Sequence, residues 1–120
     1  MSREILFRAK FEGKWIYGYL LAVGEDVVVI HCPKDSMYYS CDDKTVGQYT
    51  GFRDADGDKI WDGDIVTDGD DRGVVSWDDN TCRFVIDFDG YRSDFNGSWQ
   101  DELTIIGNIH ENPEMVEERK

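Results

Sequence analysis

The sequence predicts a mostly β protein, a small antiparallel barrel-like or strongly bent sheet with a short C-terminal helix or turn. Short runs of β-branched and aromatic residues recur along the chain with little helical periodicity. Tight acidic Asp-Gly corners separate many of them. Asp supplies eighteen of the twenty-six acidic residues, and Asp disfavours helix interiors while favouring turns and caps.

The elements follow in order. Glu4–Arg8 alternates weakly around Ile5 and Phe7, then Phe11-Glu12-Gly13-Lys14 turns the chain into the aromatic-rich run Trp15–Leu21. Gly24-Glu25-Asp26 punctuates, and the continuous β-branched run Val27–His31 predicts a buried strand. Pro33–Lys44 is polar and irregular and reads as a loop carrying Tyr38, Tyr39 and Cys41. Val46–Phe52 leads to Arg53–Asp58, where Asp56-Gly57 is a hairpin signal. Lys59–Trp61, Ile65–Thr67 and Gly73–Trp77 are short strands between acidic turns. In Cys82–Phe88, Phe84, Ile86 and Phe88 alternate strictly with Arg83, Val85 and Asp87. Asp89–Gln100 reads as a loop or broken hairpin, and Leu103–Ile109 as the last strand. Asn112 can cap a short helix or turn that starts at Pro113, since the proline N–H would lack a partner there anyway.

With 120 residues the chain is long enough for one domain and a core of its own. It reads as a single domain, residues 1–120, with a possible N-terminal hairpin layer (1–45), a C-terminal barrel-like layer (46–112) and a frayed tail (113–120). Sixteen aromatic residues supply the large apolar groups that disordered chains lack.

Charge narrows the partners. Thirteen basic residues face twenty-six acidic ones, a formal net charge of −13. Such a surface repels phosphate backbones and acidic lipid, so neither nucleic acid nor membrane is an expected partner. Cys32, Cys41 and Cys82 are an odd number at unpatterned spacing, which reads as free thiols in a reducing compartment. MSREILFRAK has no apolar run of signal-peptide length, and Tyr19–Val23 and Val27–Ile30 are too short to span a bilayer, so a cytoplasmic location is expected.

Several constellations bear on chemistry. Asp54, Asp56, Asp58, Asp62, Asp64, Asp68, Asp70 and Asp71 fall within eighteen residues, with Asp-Gly-Asp at 56, 62 and 68. Dense carboxylates suit calcium, yet the glycine follows the second acid and no Glu stands at the twelfth position of a calcium loop. Turn corners, with Gly supplying positive φ, are the better reading. His31 and Cys32 are adjacent and point to opposite faces of a strand, so they cannot easily share zinc with Cys41. Cys82 and His110 lie far off in sequence, and no nucleophile turn or phosphate loop is present. Trp15, Tyr17, Tyr19, Tyr49, Trp61, Trp77 and Trp99 could stack single-stranded bases only beside a basic groove, which the chain lacks; core and inter-strand packing is expected for them. No catalytic, cofactor-binding or metal residue is assigned, and no cofactor.

Several blocks together resemble a known family. Arg3-Glu4-Ile5-Leu6-Phe7-Arg8-Ala9, then Val46-Gly47-Gln48-Tyr49-Thr50-Gly51-Phe52-Arg53-Asp54, then Gly57-Asp58-Lys59-Ile60-Trp61-Asp62-Gly63-Asp64-Ile65-Val66 occur in order. Gly73-Val74-Val75-Ser76-Trp77-Asp78 and Ile106-Gly107-Asn108-Ile109-His110-Glu111-Asn112-Pro113-Glu114 follow. The set resembles the YopX family of bacteriophage and prophage proteins. Lys10-Phe11 departs from the aromatic-then-charged pair usual in that family. The resemblance implies a phage or prophage origin, a bacterial host cytoplasm, a β-rich fold and no assigned catalytic or ligand residues. Gly47, Gly51, Gly57, Gly63 and Gly107 then suit turns or bulges, and Ile60, Ile65, Val66, Val74, Ile106 and Ile109 a core.

The leading functional expectation is a non-enzymatic accessory protein acting through protein contacts, as a homo-oligomer. The uncovered strand edges of an open sheet and the apolar Met115-Val116 motivate it. A second class is an acidic decoy that mimics DNA phosphates and occupies a basic host protein. A third is a metal-dependent enzyme or metal-binding module built on the Asp turns.

Overall fold

The structure, a computed structural model, describes residues 5–99 and 101–117. It is mostly β, with two antiparallel sheets and a short C-terminal helix. The chain divides into two compact units, Met1–Tyr49 and Thr50–Lys120.

The first unit holds β1 (Phe7–Phe11), β2 (Lys14–Val23), β3 (Val27–Cys32) and most of β4 (Met37–Arg53). Glu12 and Gly13 both take positive φ, 51° and 80°, the backbone of a two-residue hairpin turn, which sets Phe11 opposite Lys14. The first half of β2 pairs with β1, from Lys14 to Gly18, and the second half pairs with β3, from Tyr19 to Val23. Gly18 sits at the change of partner. A Cβ there would lie 2.0 Å from the His31 carbonyl oxygen, so the close approach requires glycine.

The expected loop Pro33–Lys44 is mostly strand. Only Pro33–Ser36 turns; from Met37 to Asp42 each residue of β4 faces one of Cys32 to Val27. The Asp35 carboxylate secures this turn by accepting from the Met37 N–H at 3.0 Å. The alternation was hidden because tyrosines stand on both faces, Tyr38 outward and Tyr39 packed inward.

β4 then reaches β1, with Phe7 opposite Gln48, Arg8 opposite Gly47 and Lys10 opposite Asp42. The register shift is bridged by Thr45, whose hydroxyl accepts from the Lys10 N–H and donates to the Asp42 carbonyl. This pairing closes the sheet partly into a ring, short of a barrel. Ala9, Val28, Ile30 and Cys41 fill its interior, flanked by Phe7, Phe11, Ile16, Leu20, Tyr39 and Val46. β3 is buried on one face only: Val28 and Ile30 are buried, whereas Val27, Val29 and His31 are half-buried.

In the second unit β5 (Lys59–Trp61) neighbours the end of β4. Next come β6 (Asp64–Thr67), β7 (Arg72–Asp78), β8 (Arg83–Phe88) and β9 (Tyr91–Asp94). A 3-10 turn (Gly97–Trp99), β10 (Thr104–Asn108) and α1 (Pro113–Glu117) complete it. The sheet order is β10-β6-β7-β8-β9. Within Asp89–Gln100, read as loop or broken hairpin, Tyr91–Asp94 forms an edge strand, and Gln100 lies outside the described residues.

Ile60, Val66, Val75, Phe84, Ile86, Phe88, Phe95 and Leu103 form the core, and Phe52 stacks on Phe95 at 4.9 Å. Each such side chain contributes about 1.5–3 kcal/mol on burial. The alternating Phe84, Ile86 and Phe88 all enter it, and Val85 is buried as well. Ile60, Ile65 and Val66 are buried as expected. Val74 and Ile106 are only half-buried and Ile109 is exposed, because Val75 and Leu103 occupy the core instead. A register shift between Ile105 and Gly107 in β10 breaks the simple alternation there.

Candidate functional site

The Asp-Gly corners have the geometry expected of turns, with φ of +88° at Gly57, +96° at Gly63 and +104° at Gly69. Three carboxylates at or beside these corners, those of Asp54, Asp64 and Asp68, accept from backbone N–H groups. Asp54 is buried; its Oδ1 accepts from the N–H groups of Asp56 (3.0 Å) and Asp58 (2.9 Å). The buried Asp64 accepts from the Trp61 N–H at 2.7 Å. Asp68 Oδ1 accepts from the N–H groups of Asp71 and Asp70, both at 2.9 Å, and these donors hold its carboxyl below the ordinary value. Among the described residues no three His, Cys, Asp or Glu side chains form a group able to hold a metal ion.

The thiols and imidazoles are dispersed. Cys41 lies in the ring interior, where burial pushes its thiol up from the ordinary value, while Cys82 is exposed. Cys32 stands opposite Met37, and the His31 ring lies 4.8 Å from that of Tyr38. His110 belongs to a turn held by Asn108, whose Oδ1 accepts from the N–H groups of His110 (3.0 Å) and Glu111 (2.9 Å). Asn112 precedes α1 as expected of a cap, with its carbonyl accepting from Met115 N–H. Its side-chain oxygen instead accepts from Asn108 N–H at 3.2 Å. The Asn-rich terminal block is thus a structural clasp.

The strand edges expected of an open sheet are partly covered. The first sheet pairs β1 with β4 and so covers part of its edge backbone, without full closure. In the second sheet the β10 side is covered by the 54–58 turn, through Ala55 N–H to Leu103 O at 2.8 Å and Ile105 N–H to Asp54 Oδ2 at 3.1 Å. β9 is short and carries Arg92 and Asp94, a protected edge. Met115 and Val116 are half-buried.

A different surface stands out. Tyr19 on β2 is opposite His31 on β3, which is opposite Tyr38 on β4, so the three share one face. Tyr17 precedes Tyr19 by two residues on that face, and Leu21 follows at the register shift between Leu20 and Ala22. Exposure is 45% for Tyr17, 49% for Tyr19, 55% for Leu21 and 65% for Tyr38. Tyr17 and Tyr19 are therefore not the packing residues that their place in an aromatic strand suggests. Tyr49 and Trp61 are indeed buried, and Trp15 and Trp99 half-buried, but Tyr17, Tyr19 and Trp77 are exposed. In β2 the interior is already supplied by Ile16 and Leu20, which leaves the alternate tyrosines outside.

The face continues into an apolar groove of about 400 Å³ beside Tyr17, lined by Leu6, Trp15, Cys32, Pro33 and Lys34 among others. The Arg8 guanidinium lies 4.2 Å over the Trp15 ring and steadies that wall. Charge is also segregated. Met1–Tyr49 carries six basic and seven acidic residues, whereas Thr50–Lys120 carries seven and nineteen. Tyrosines present flat area and a hydroxyl at small conformational cost, so the row suits recognition of another protein surface.

Fold and site together define a small antiparallel β protein with a dense acidic unit and an exposed aromatic face. The family model described as YopX protein matches residues 6–117, and the chain belongs to the YopX family. Among solved structures it is similar to protein EF1440 from Enterococcus faecalis, with a TM-score of 0.63 and 22% identity, covering 96% of this chain and 99% of that one. That likeness extends the fold to a distant sequence. Comparison with curated proteins found no match. Among the described residues no helix is long and apolar enough to cross a membrane.

Proposed function

We propose that this chain is a non-enzymatic accessory protein of phage or prophage origin that works through protein contacts and assembles with copies of itself. The observation that carries the reading is the row of exposed tyrosines on the outer face of β2, β3 and β4. Contiguous exposed apolar area of this kind marks interaction surfaces. The use of Asp54, Asp64 and Asp68 as acceptors for turn N–H groups supports a scaffold role for the acidic corners. Sedimentation of the full chain over a concentration series tests the reading. Mass that grows with concentration supports it; a strict monomer at roughly 100 µM overturns self-assembly.

Charge segregation favours a second reading, in which the acidic unit Thr50–Lys120 occupies a basic host protein. Pull-down from bacterial lysate tests it: a basic partner retained at low salt and released at high salt supports the decoy. Recovery of no such partner at low salt overturns it.

A further inference from the structure

We infer that the outer face of β2, β3 and β4, centred on the Tyr19–His31–Tyr38 row, is where a second copy of this chain docks. The inference rests on the protein-contact reading above and names its partner and surface.

Electrostatics favours a second copy. A chain of net charge −13 repels its own copies over most approaches. Tyr17, Tyr19, Leu21, Ala22, Val29, Tyr38 and Ser40 carry no formal charge. They also lie in the unit whose basic and acidic residues nearly balance. The exposed carboxylate of Asp42, opposite Val27, stands at the margin of this face, so two copies that meet on the tyrosine row bring few carboxylates together. A basic foreign protein would be drawn instead to Thr50–Lys120, where acidic residues outnumber basic ones nineteen to seven.

Area and composition agree. Side chains of this size and exposure offer on the order of 100 Å² each, so the row and its rim supply roughly 500–700 Å² per copy, the lower part of the range for specific interfaces. A self-complementary face of this kind closes as a two-fold dimer. The groove beside Tyr17 extends the apolar area toward Cys32 and Pro33 and offers a recess for a side chain of the facing copy.

The test is sedimentation equilibrium of the full chain, of the single variants Tyr19→Lys and Tyr38→Lys, and of the double variant. Both side chains are about half-exposed or more, so the substitutions leave the ring interior intact; circular dichroism and urea unfolding verify this for each variant. The expected result is a wild-type dimer that the double variant weakens by about a hundredfold. A wild-type dimer unaffected by either lysine overturns the docking face and leaves self-assembly standing. A wild-type monomer at roughly 100 µM overturns both. Should the lysine variants misfold, the milder Tyr19→Ser and Tyr38→Ser decide the matter by the same readout.

Discussion

The carboxylate of Asp54 accepts a hydrogen bond from the backbone N–H of Ile105, a residue 51 positions later in the chain. Its other oxygen accepts from the N–H groups of Asp56 and Asp58, so one side chain both shapes a turn and anchors the last strand. Replacing it should therefore do more harm than losing a surface acid. Asp54→Ala leaves buried donors without their acceptor and should cost about 2–4 kcal/mol, with Asp54→Asn intermediate because one oxygen remains. Urea unfolding measures this. A loss no greater than that of Asp56→Ala, an exposed neighbour, would contradict the anchoring role.

Two glycines separate steric crowding from backbone strain. At Gly57 a Cβ would meet nothing within 4 Å, and only the φ of +88° opposes a side chain. Gly57→Ala should cost about 1 kcal/mol. Gly18→Ala would set a Cβ 2.0 Å from the His31 carbonyl and force β2 and β3 apart. Its cost should be several-fold larger, about 3 kcal/mol or more. Thermal unfolding of the pair ranks them; equal losses would refute the close-approach account.

Acid should weaken the fold through its turns. Thr81 Oγ–H and Asn80 N–H, with Arg92 nearby, hold Asp78 below the ordinary 3.8, and the N–H groups of Asp71 and Asp70 do the same for Asp68. A carboxyl lowered in the folded state adds stability that is complete above its unfolded value. That stability is lost as pH falls through the folded value, so the window lies below about pH 4. Wild type and Asp68→Asn should differ at neutral pH and converge in strong acid. Urea midpoints over a pH series measure it, and parallel curves would refute the assignment.

Asp35 and Tyr39 form a coupled surface pair, the phenol donating to the carboxylate at 2.5 Å. That bond is the main cause lowering the Asp35 carboxyl and raising the Tyr39 phenol. Asp35→Asn removes the negative charge that opposes tyrosinate, so Tyr39 should ionise at a lower pH. Site-resolved NMR titration reads this directly; an unmoved Tyr39 would show that the bond is not populated in solution.

The three thiols should react in order of exposure. Cys82 is exposed, Cys32 intermediate and Cys41 buried with its thiol pushed up by burial. A maleimide followed by mass spectrometry should label Cys82 first and Cys41 only with unfolding of the ring. Early labelling of Cys41 would mean that the interior of the first unit opens readily.

The positions of the acidic corners were readable from the chain alone, because positive φ at Gly57, Gly63 and Gly69 and the capture of neighbouring N–H groups by Asp68 are local effects. The same holds for β5, read residue for residue as Lys59–Trp61, and for the inward Phe84, Ile86 and Phe88 of β8. Tertiary pairing decided the rest. Whether β4 closes on β1, which Asp54 oxygen reaches Ile105, and whether Tyr17, Tyr19 and Tyr38 lie in a core or face outward all depend on partners distant in sequence. A strand apolar on both faces does not reveal which one a neighbour will cover, since that follows from the neighbour's own pairing and not from local conformation.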